Sequence, residues 1–250
     1  MSPEARPAEV LAEDRMVLEQ LGAVFARMSG LFLSAETVNT ALTLISSLAA
    51  EVVPGTLGAG ITRSDPTGDR VTAAATDEVV ERADELQYQL GLGPCLTAWS
   101  DRVVVRVDDL GADDRWSAWS KKVVELGLGS SLSAPLVAGK RSFGVLKVYA
   151  GHPGAYGRRE EHLLSMFATQ AAMLLANSRA AENAERLSAQ IADTLRAREA
   201  ITLAKGIVMA RDGVDERTAF LALVSAAQQQ HLTVRRIAEQ LARSTVRLRR

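Results

Sequence analysis

The chain has 250 residues, 47% hydrophobic and 24% charged, with a formal net charge of −1. That composition suits one large or two smaller globular domains and excludes a collagen-like or largely disordered chain. No apolar run approaches the ~20 residues of a bilayer span. Cys95 is the single cysteine, so no intrachain disulfide or thiolate zinc cluster can form, and a cytoplasmic location is expected. The first ten residues include Glu4, Arg6 and Glu9 and lack the apolar core of a signal peptide.

Charge is unevenly distributed along the chain. Residues 190–250 hold eleven basic against six acidic side chains, a net +5, whereas the 189 before them hold 18 against 24, a net −6. A basic tail behind an acidic front points to a polyanionic partner, and a solvated arginine face is the alternative.

In chain order, residues 11–32 have apolar side chains at helical spacing, with Val17, Leu21, Val24, Met28 and Leu31 near one face. A second helical stretch over 36–53 carries Val38, Leu42, Ile45 and Leu48 and is ended by Pro54-Gly55. Strand-like segments over 56–62 and 70–76 are joined by Asp65-Pro66-Thr67-Gly68-Asp69, which has hairpin-turn chemistry. Further strands are expected over 103–107, 130–137 and 142–149, the last two joined by Ala138-Gly139-Lys140-Arg141. Helical segments fall over 77–88, 95–100 and 116–126. Antiparallel hairpins with helices inserted between them make an α+β domain, not a doubly wound one.

From Arg158 to Lys205 there is neither glycine nor proline, which predicts a helix of roughly 70 Å. Leu163, Phe167, Gln170, Leu174, Asn177, Ala181, Ala184, Ser188, Ile191 and Leu195 follow alternating spacings of four and three, the pattern of a coiled-coil seam. Small and polar residues weaken its middle. The reading is a helical stalk that pairs two copies of the chain, against an ordinary packing helix that runs long. Gly213 then stops the helix, Asp215 caps a segment over 216–230 and Thr233 caps another over 234–243. These make a small three-helix unit with Leu203, Ile207, Val208, Phe220, Leu223, Val224, Val234, Ile237 and Leu241 as its expected core.

No catalytic constellation can be assembled. His152, His162 and His231 are scattered without metal-ligand spacing. Gly91-Leu92-Gly93-Pro94 lacks the third glycine of a dinucleotide fingerprint. Cys95 sits at a helix start, where the helix dipole can lower a thiol pKa; the alternative is a small apolar residue packed under a loop. Asp108-Asp109 and Asp113-Asp114 read as capping and solvated groups. Neither a catalytic nor a metal site is expected, and no cofactor.

At the tail, Ile201-Thr202-Leu203-Ala204-Lys205-Gly206-Ile207-Val208-Met209 is followed by Gly213-Val214, Ala219-Phe220, Gln228 and Val234-Arg235-Arg236-Ile237-Ala238. This series resembles the ANTAR domain, a three-helix RNA-binding module of bacterial transcription antiterminators. Thr233 stands where many members have lysine. In the front part, Gly91-Leu92-Gly93-Pro94-Cys95, residues 102–110, Ser131-Leu132-Ser133-Ala134-Pro135-Leu136, Phe143-Gly144-Val145-Leu146-Lys147-Val148-Tyr149 and Phe167-Ala168-Thr169-Gln170-Ala171 together resemble a GAF domain. That resemblance implies a small-molecule sensor or dimerisation module with an antiparallel sheet flanked by helices.

The expected organisation is an N-terminal tail and dimerisation helix over 1–30, a GAF-like sensor over 31–177, a helical stalk over 178–189 and an ANTAR-like RNA-binding domain over 190–250. Lys205, Gly206, Arg211, His231, Arg235, Arg236 and Arg243 are the candidate RNA-binding residues, the cations for phosphates and Gly206 for close approach of a backbone or base, with tight helix–helix packing as the alternative for the glycine. Phe220 is assigned to the core, which leaves no exposed aromatic for stacking. Cys95, Trp99, Trp116 and Trp119 are candidates to line a sensor pocket for an unidentified small-molecule effector, with core packing as the alternative. The expected partners are stem-loops in nascent transcripts, the RNA polymerase elongation complex indirectly, and a second copy of the chain through the N-terminal and stalk helices, with no membrane. An enzyme such as a free methionine sulfoxide reductase, which would need several cysteines, and a DNA-binding regulator are the competing readings.

Overall fold

The computed structural model describes residues 35–65 and 67–247. The helix expected over 11–32 lies outside them. The chain divides into two compact units between Ala181 and Glu182.

The first unit opens with α1 (Ala35–Val52), whose Val38, Leu42, Ile45 and Ala49 recur at helical spacing and are buried. The hairpin of β1 (Gly58–Ser64) and β2 (Arg70–Ala75) follows. Its turn is organised by Asp65, whose Oδ1 accepts the backbone N–H groups of Thr67, Gly68 and Asp69, each at 2.9 Å. Next come α2 (Glu78–Leu90), capped by the Asp77 carboxylate on the Val80 N–H, and α3 (Pro94–Asp101), with proline in its first turn. After β3 (Val105–Val107) and a single 3₁₀ turn, α4 (Ser117–Glu125) leads into the long hairpin of β4 (Ser130–Ala138) and β5 (Arg141–Ala150).

The five strands pair antiparallel throughout in the order β2-β1-β5-β4-β3; the hairpin signals predict the β1–β2 and β4–β5 pairs of this sheet. Strand alternation sends side chains to two faces. On one face Ala59, Ile61, Leu132, Leu136, Leu146 and Val148 pack against α1 and the start of α5 (Arg158–Asp212). On the other, Val105, Val107, Val145 and Tyr149 pack with residues of α2, α3 and α4. Gly60 lets these layers close: a Cβ there would lie 2.9 Å from Val80 and 3.1 Å from Lys147 Cε.

The seam pattern of α5 has two different fates. Leu163, Phe167 and Leu174 are buried in the core of the first unit, not in a coiled coil. Leu187, Ile191 and Leu195 are more than half exposed. No helix among the described residues is long and apolar enough to cross a membrane.

The second unit consists of the end of α5, α6 (Glu216–Gln229) and α7 (Val234–Arg247). Gly213, at φ +67°, ends α5 in the left-handed conformation that glycine adopts at least cost. Asp215 accepts the Thr218 N–H at 2.8 Å and Thr233 Oγ1 accepts the Arg236 N–H at 3.3 Å, so both expected caps form. The core consists of Ala204, Val208, Ala219, Leu223, Ala227, Ile237 and Ala238.

Two residues expected in that core are outside it: Leu203 is 55% exposed and Phe220 is 42% exposed. Alanines hold the contact positions Ala204 and Ala219, and a neighbour one step along a helix is turned by about 100°. Ile207 and Val224 are half-buried at its margin.

Candidate functional site

The cations of the second unit fall into two groups. Lys205, on the last turns of α5, is ion-paired with Glu216 at the start of α6. Arg211 pairs with its neighbour Asp212 at 2.7 Å. Arg235 is held twice: its Nη1 lies 2.6 Å from Asp193 on α5 and its Nε 2.8 Å from Glu239, one turn along α7. Those carboxylates, Asp193 foremost, push the guanidinium above its usual range, and Arg235 in turn lowers both carboxyls. Arg235 therefore ties α7 to α5 through its ion pairs. Arg236 and Arg243 are exposed and make no ion pair among the described residues.

His231 stands in the turn between α6 and α7 at φ +53°. The Leu232 N–H donates to the Ala227 carbonyl at 3.0 Å and the His231 N–H to Gln228 at 3.3 Å, closing the helix end in a Schellman pattern. The imidazole is left exposed at this corner. Gly206 lies mid-helix beside Lys205, and a Cβ built there meets nothing within 4 Å. Helix packing inside the second unit does not explain this glycine.

Between the sheet and α2–α3, the first unit encloses a polar network. Asp84 and Lys147, both fully buried, form an ion pair. Lys147 Nζ also donates to Thr62 Oγ1 at 2.7 Å, and Thr72 donates to Asp84 at 2.9 Å. The Tyr88 hydroxyl bridges Thr62 at 2.8 Å and Thr72 at 3.0 Å. Gln87 donates to the Tyr149 hydroxyl at 3.3 Å, and its amide oxygen accepts the Cys95 N–H at 2.9 Å. Burial, reinforced by the Asp84 charge, raises both phenols above the ordinary range. Ser131, opposite Tyr149 on β4, has a buried hydroxyl with no hydrogen-bond partner.

The pocket candidates surround this network as packed side chains. Cys95, Trp116 and Trp119 belong to one hydrophobic cluster, with Trp99 at its margin, and Trp119 Nε1 donates to the Ala83 carbonyl at 3.0 Å. Burial pushes the Cys95 thiol up to about 11, so the helix start does not activate it.

The sequence reading missed this network, though a signal for it exists. Lys147 interrupts the apolar run Val145-Leu146-Lys147-Val148-Tyr149, and Asp84 is spaced from Val80 and Gln87 so as to share the buried face of α2. No group of three or more His, Cys, Asp or Glu able to hold a metal is present among the described residues.

Comparisons with known proteins agree with this architecture. The family model for the GAF domain matches residues 35–176 and that for the ANTAR domain residues 189–241. No curated protein matches the chain at a significant level. Among solved structures, the free methionine-R-sulfoxide reductase from Neisseria meningitidis in complex with its substrate is 22% identical. It covers 68% of this chain and 92% of its own, with a TM-score of 0.50. The second GAF domain of DevS from Mycobacterium smegmatis is 21% identical over 60% of this chain and 99% of its own, with a TM-score of 0.43. The type II free methionine-R-sulfoxide reductase from Thermoplasma acidophilum is 18% identical over 56% and 93%, with a TM-score of 0.47. At 22% identity the likeness to the Neisseria meningitidis structure is one of fold alone. A GAF domain joined to an ANTAR domain is the architecture of a regulator. The chain belongs to the GAF domain family and carries an ANTAR domain at residues 189–241.

Proposed function

We propose that this protein is a signal-responsive RNA-binding regulator that promotes transcription antitermination by binding hairpins in nascent mRNA. The GAF domain acts as sensor and dimeriser, and the elongating RNA polymerase is affected indirectly, because the bound hairpin competes with a terminator. The observation that carries the reading is Gly206. A glycine inside a helix costs about 1 kcal/mol relative to alanine, and here no packing requirement offsets that cost. An external backbone or base approaching α5 beside Lys205 gives the glycine its reason. Arg236, Arg243 and Arg211 supply the surrounding cations, His231 an exposed ring, and Arg235 positions α7 against α5.

Two copies are held by the N-terminal segment over 1–30 and by the stalk over 178–189, where Leu187 begins an exposed row continued by Ile191 and Leu195. The effector is a small molecule bound on the α2–α3 side of the sheet, and the complex works in the cytoplasm. Against sulfoxide-reductase chemistry stands the buried, protonated Cys95.

Fluorescence anisotropy of the full chain tests the output, using tandem-hairpin RNA and length-matched duplex DNA over a salt series. Selective RNA binding that weakens steeply with salt is expected. Equal affinity for the DNA duplex would turn the reading to a DNA-binding regulator.

A further inference from the structure

Phe220 lies on the wall of an open concavity of about 620 Å³, together with Lys205, Asp215, Glu216 and Arg217. A nucleobase fits easily in that volume. The ring is 42% exposed, whereas the positions of α6 that build the core are Ala219, Leu223 and Ala227. Phe220 and Glu216 are four residues apart and so share one face of the helix.

The groups around the ring differ in how firmly they are held. Asp215 is committed to capping α6. Among the described residues Lys205 and Glu216 pair only with each other, across a contact whose lysine side chain is 20% exposed and whose carboxylate is 70% exposed. A single pair with so open a carboxylate contributes modestly to stability, so an incoming phosphate can compete for Lys205 and leave Glu216 as an open acceptor. Arg217, at the rim, has no ion-pair partner among the described residues. An aromatic face, a releasable carboxylate and two cations in one concavity match an unpaired nucleotide, whose base stacks and whose phosphate is anionic. An apolar peptide would make no use of the charged groups around the ring.

Resting on the RNA-binding reading above, we infer that Phe220 is a stacking platform for one unpaired loop base of the RNA. In the complex, Lys205 leaves Glu216 for that nucleotide's phosphate, and Glu216 accepts a hydrogen bond from the amino edge of the base. Adenine, cytosine and guanine have such an edge and uracil does not. The site thus adds base selection to a surface otherwise read only as charge.

The test uses the full chain and tandem-hairpin RNA with randomised loops, compared with the same hairpins carrying all-uridine loops. Phe220→Leu keeps an apolar side chain but removes the ring, and Phe220→Tyr keeps a ring. Wild-type protein is expected to bind the randomised pool, with Phe220→Leu about tenfold weaker, an effect in the range of one lost base stack. Phe220→Tyr keeps the wild-type affinity, and the all-uridine loops bind more weakly than the pool. Ultraviolet crosslinking followed by peptide mapping places RNA on the peptide containing Phe220. If the wild type binds and Phe220→Leu binds equally well with an unchanged crosslink, the stacking role is overturned while RNA binding stands. If the wild type binds neither RNA, both fall. Matching circular dichroism melts for the variants separate a lost ring from a lost fold.

Discussion

Asp84 on α2 and Lys147 on β5 form an ion pair from which solvent is fully excluded, and it lies at the centre of the polar interior of the GAF domain. The pair is supported by Thr62 and Thr72, so neither charge relies on one contact. Its position on the sheet face that receives α2 and α3 makes it a register device as well as an electrostatic one, since the helix can seat only where its carboxylate meets the ammonium.

Removing one partner leaves the other charge buried and uncompensated. Lys147→Met or Asp84→Leu is therefore expected to destabilise the domain by about 3–5 kcal/mol. The double variant Asp84→Leu/Lys147→Met should recover most of that loss. Urea unfolding of the four proteins as a double-mutant cycle gives the coupling, and additive losses would show that the pair does not act as a unit.

Cys95 is fully buried and its thiol is pushed up to about 11. Native protein at pH 8 should resist iodoacetamide, while urea-unfolded protein reacts at the rate of an ordinary thiol. Rapid alkylation of the native state, followed by mass spectrometry, would contradict this placement.

Gly206→Ala separates folding from binding. The open space at this position predicts a helix more stable by about 0.5–1 kcal/mol, read as a higher melting temperature. RNA affinity should fall because the added methyl group meets the incoming nucleic acid. An unchanged affinity would remove the main support for an RNA contact at α5.

Acid should loosen the second unit. Asp193 and Glu239 are lowered by Arg235, and Glu216 by Lys205. Groups depressed in the folded state contribute stability that is present above their unfolded values, near 4, and lost as pH falls through the lower folded ones. Far-ultraviolet circular dichroism from pH 6 to pH 2 should show helix loss below about pH 4. In Arg235→Gln, part of that acid transition should be missing, since the link to Asp193 is already absent.

The β1–β2 and β4–β5 hairpins, the caps at Asp215 and Thr233 and the stop at Gly213 were all legible in the sequence. Each depends on residues a few positions apart, where turn chemistry and helical spacing act directly. So were the two domain types, because their motifs recur in a fixed order along the chain. Which apolar residues meet is a different matter. Local periodicity marks a face but not the depth of what covers it, so Phe220 and Leu203 read as core although alanine contacts between α5 and α6 leave them outside. The same limit applies to charge. Lys147 and Asp84 are 63 positions apart in sequence, and only the packing of α2 on β5 buries them together. That Arg235 is already ion-paired shows only once Asp193, 42 residues earlier, is placed beside it. Sequence thus determined the elements and their families, through interactions of short range. The tertiary structure decided which charges are already neutralised and which ring stays open, because those depend on groups that only folding brings into contact.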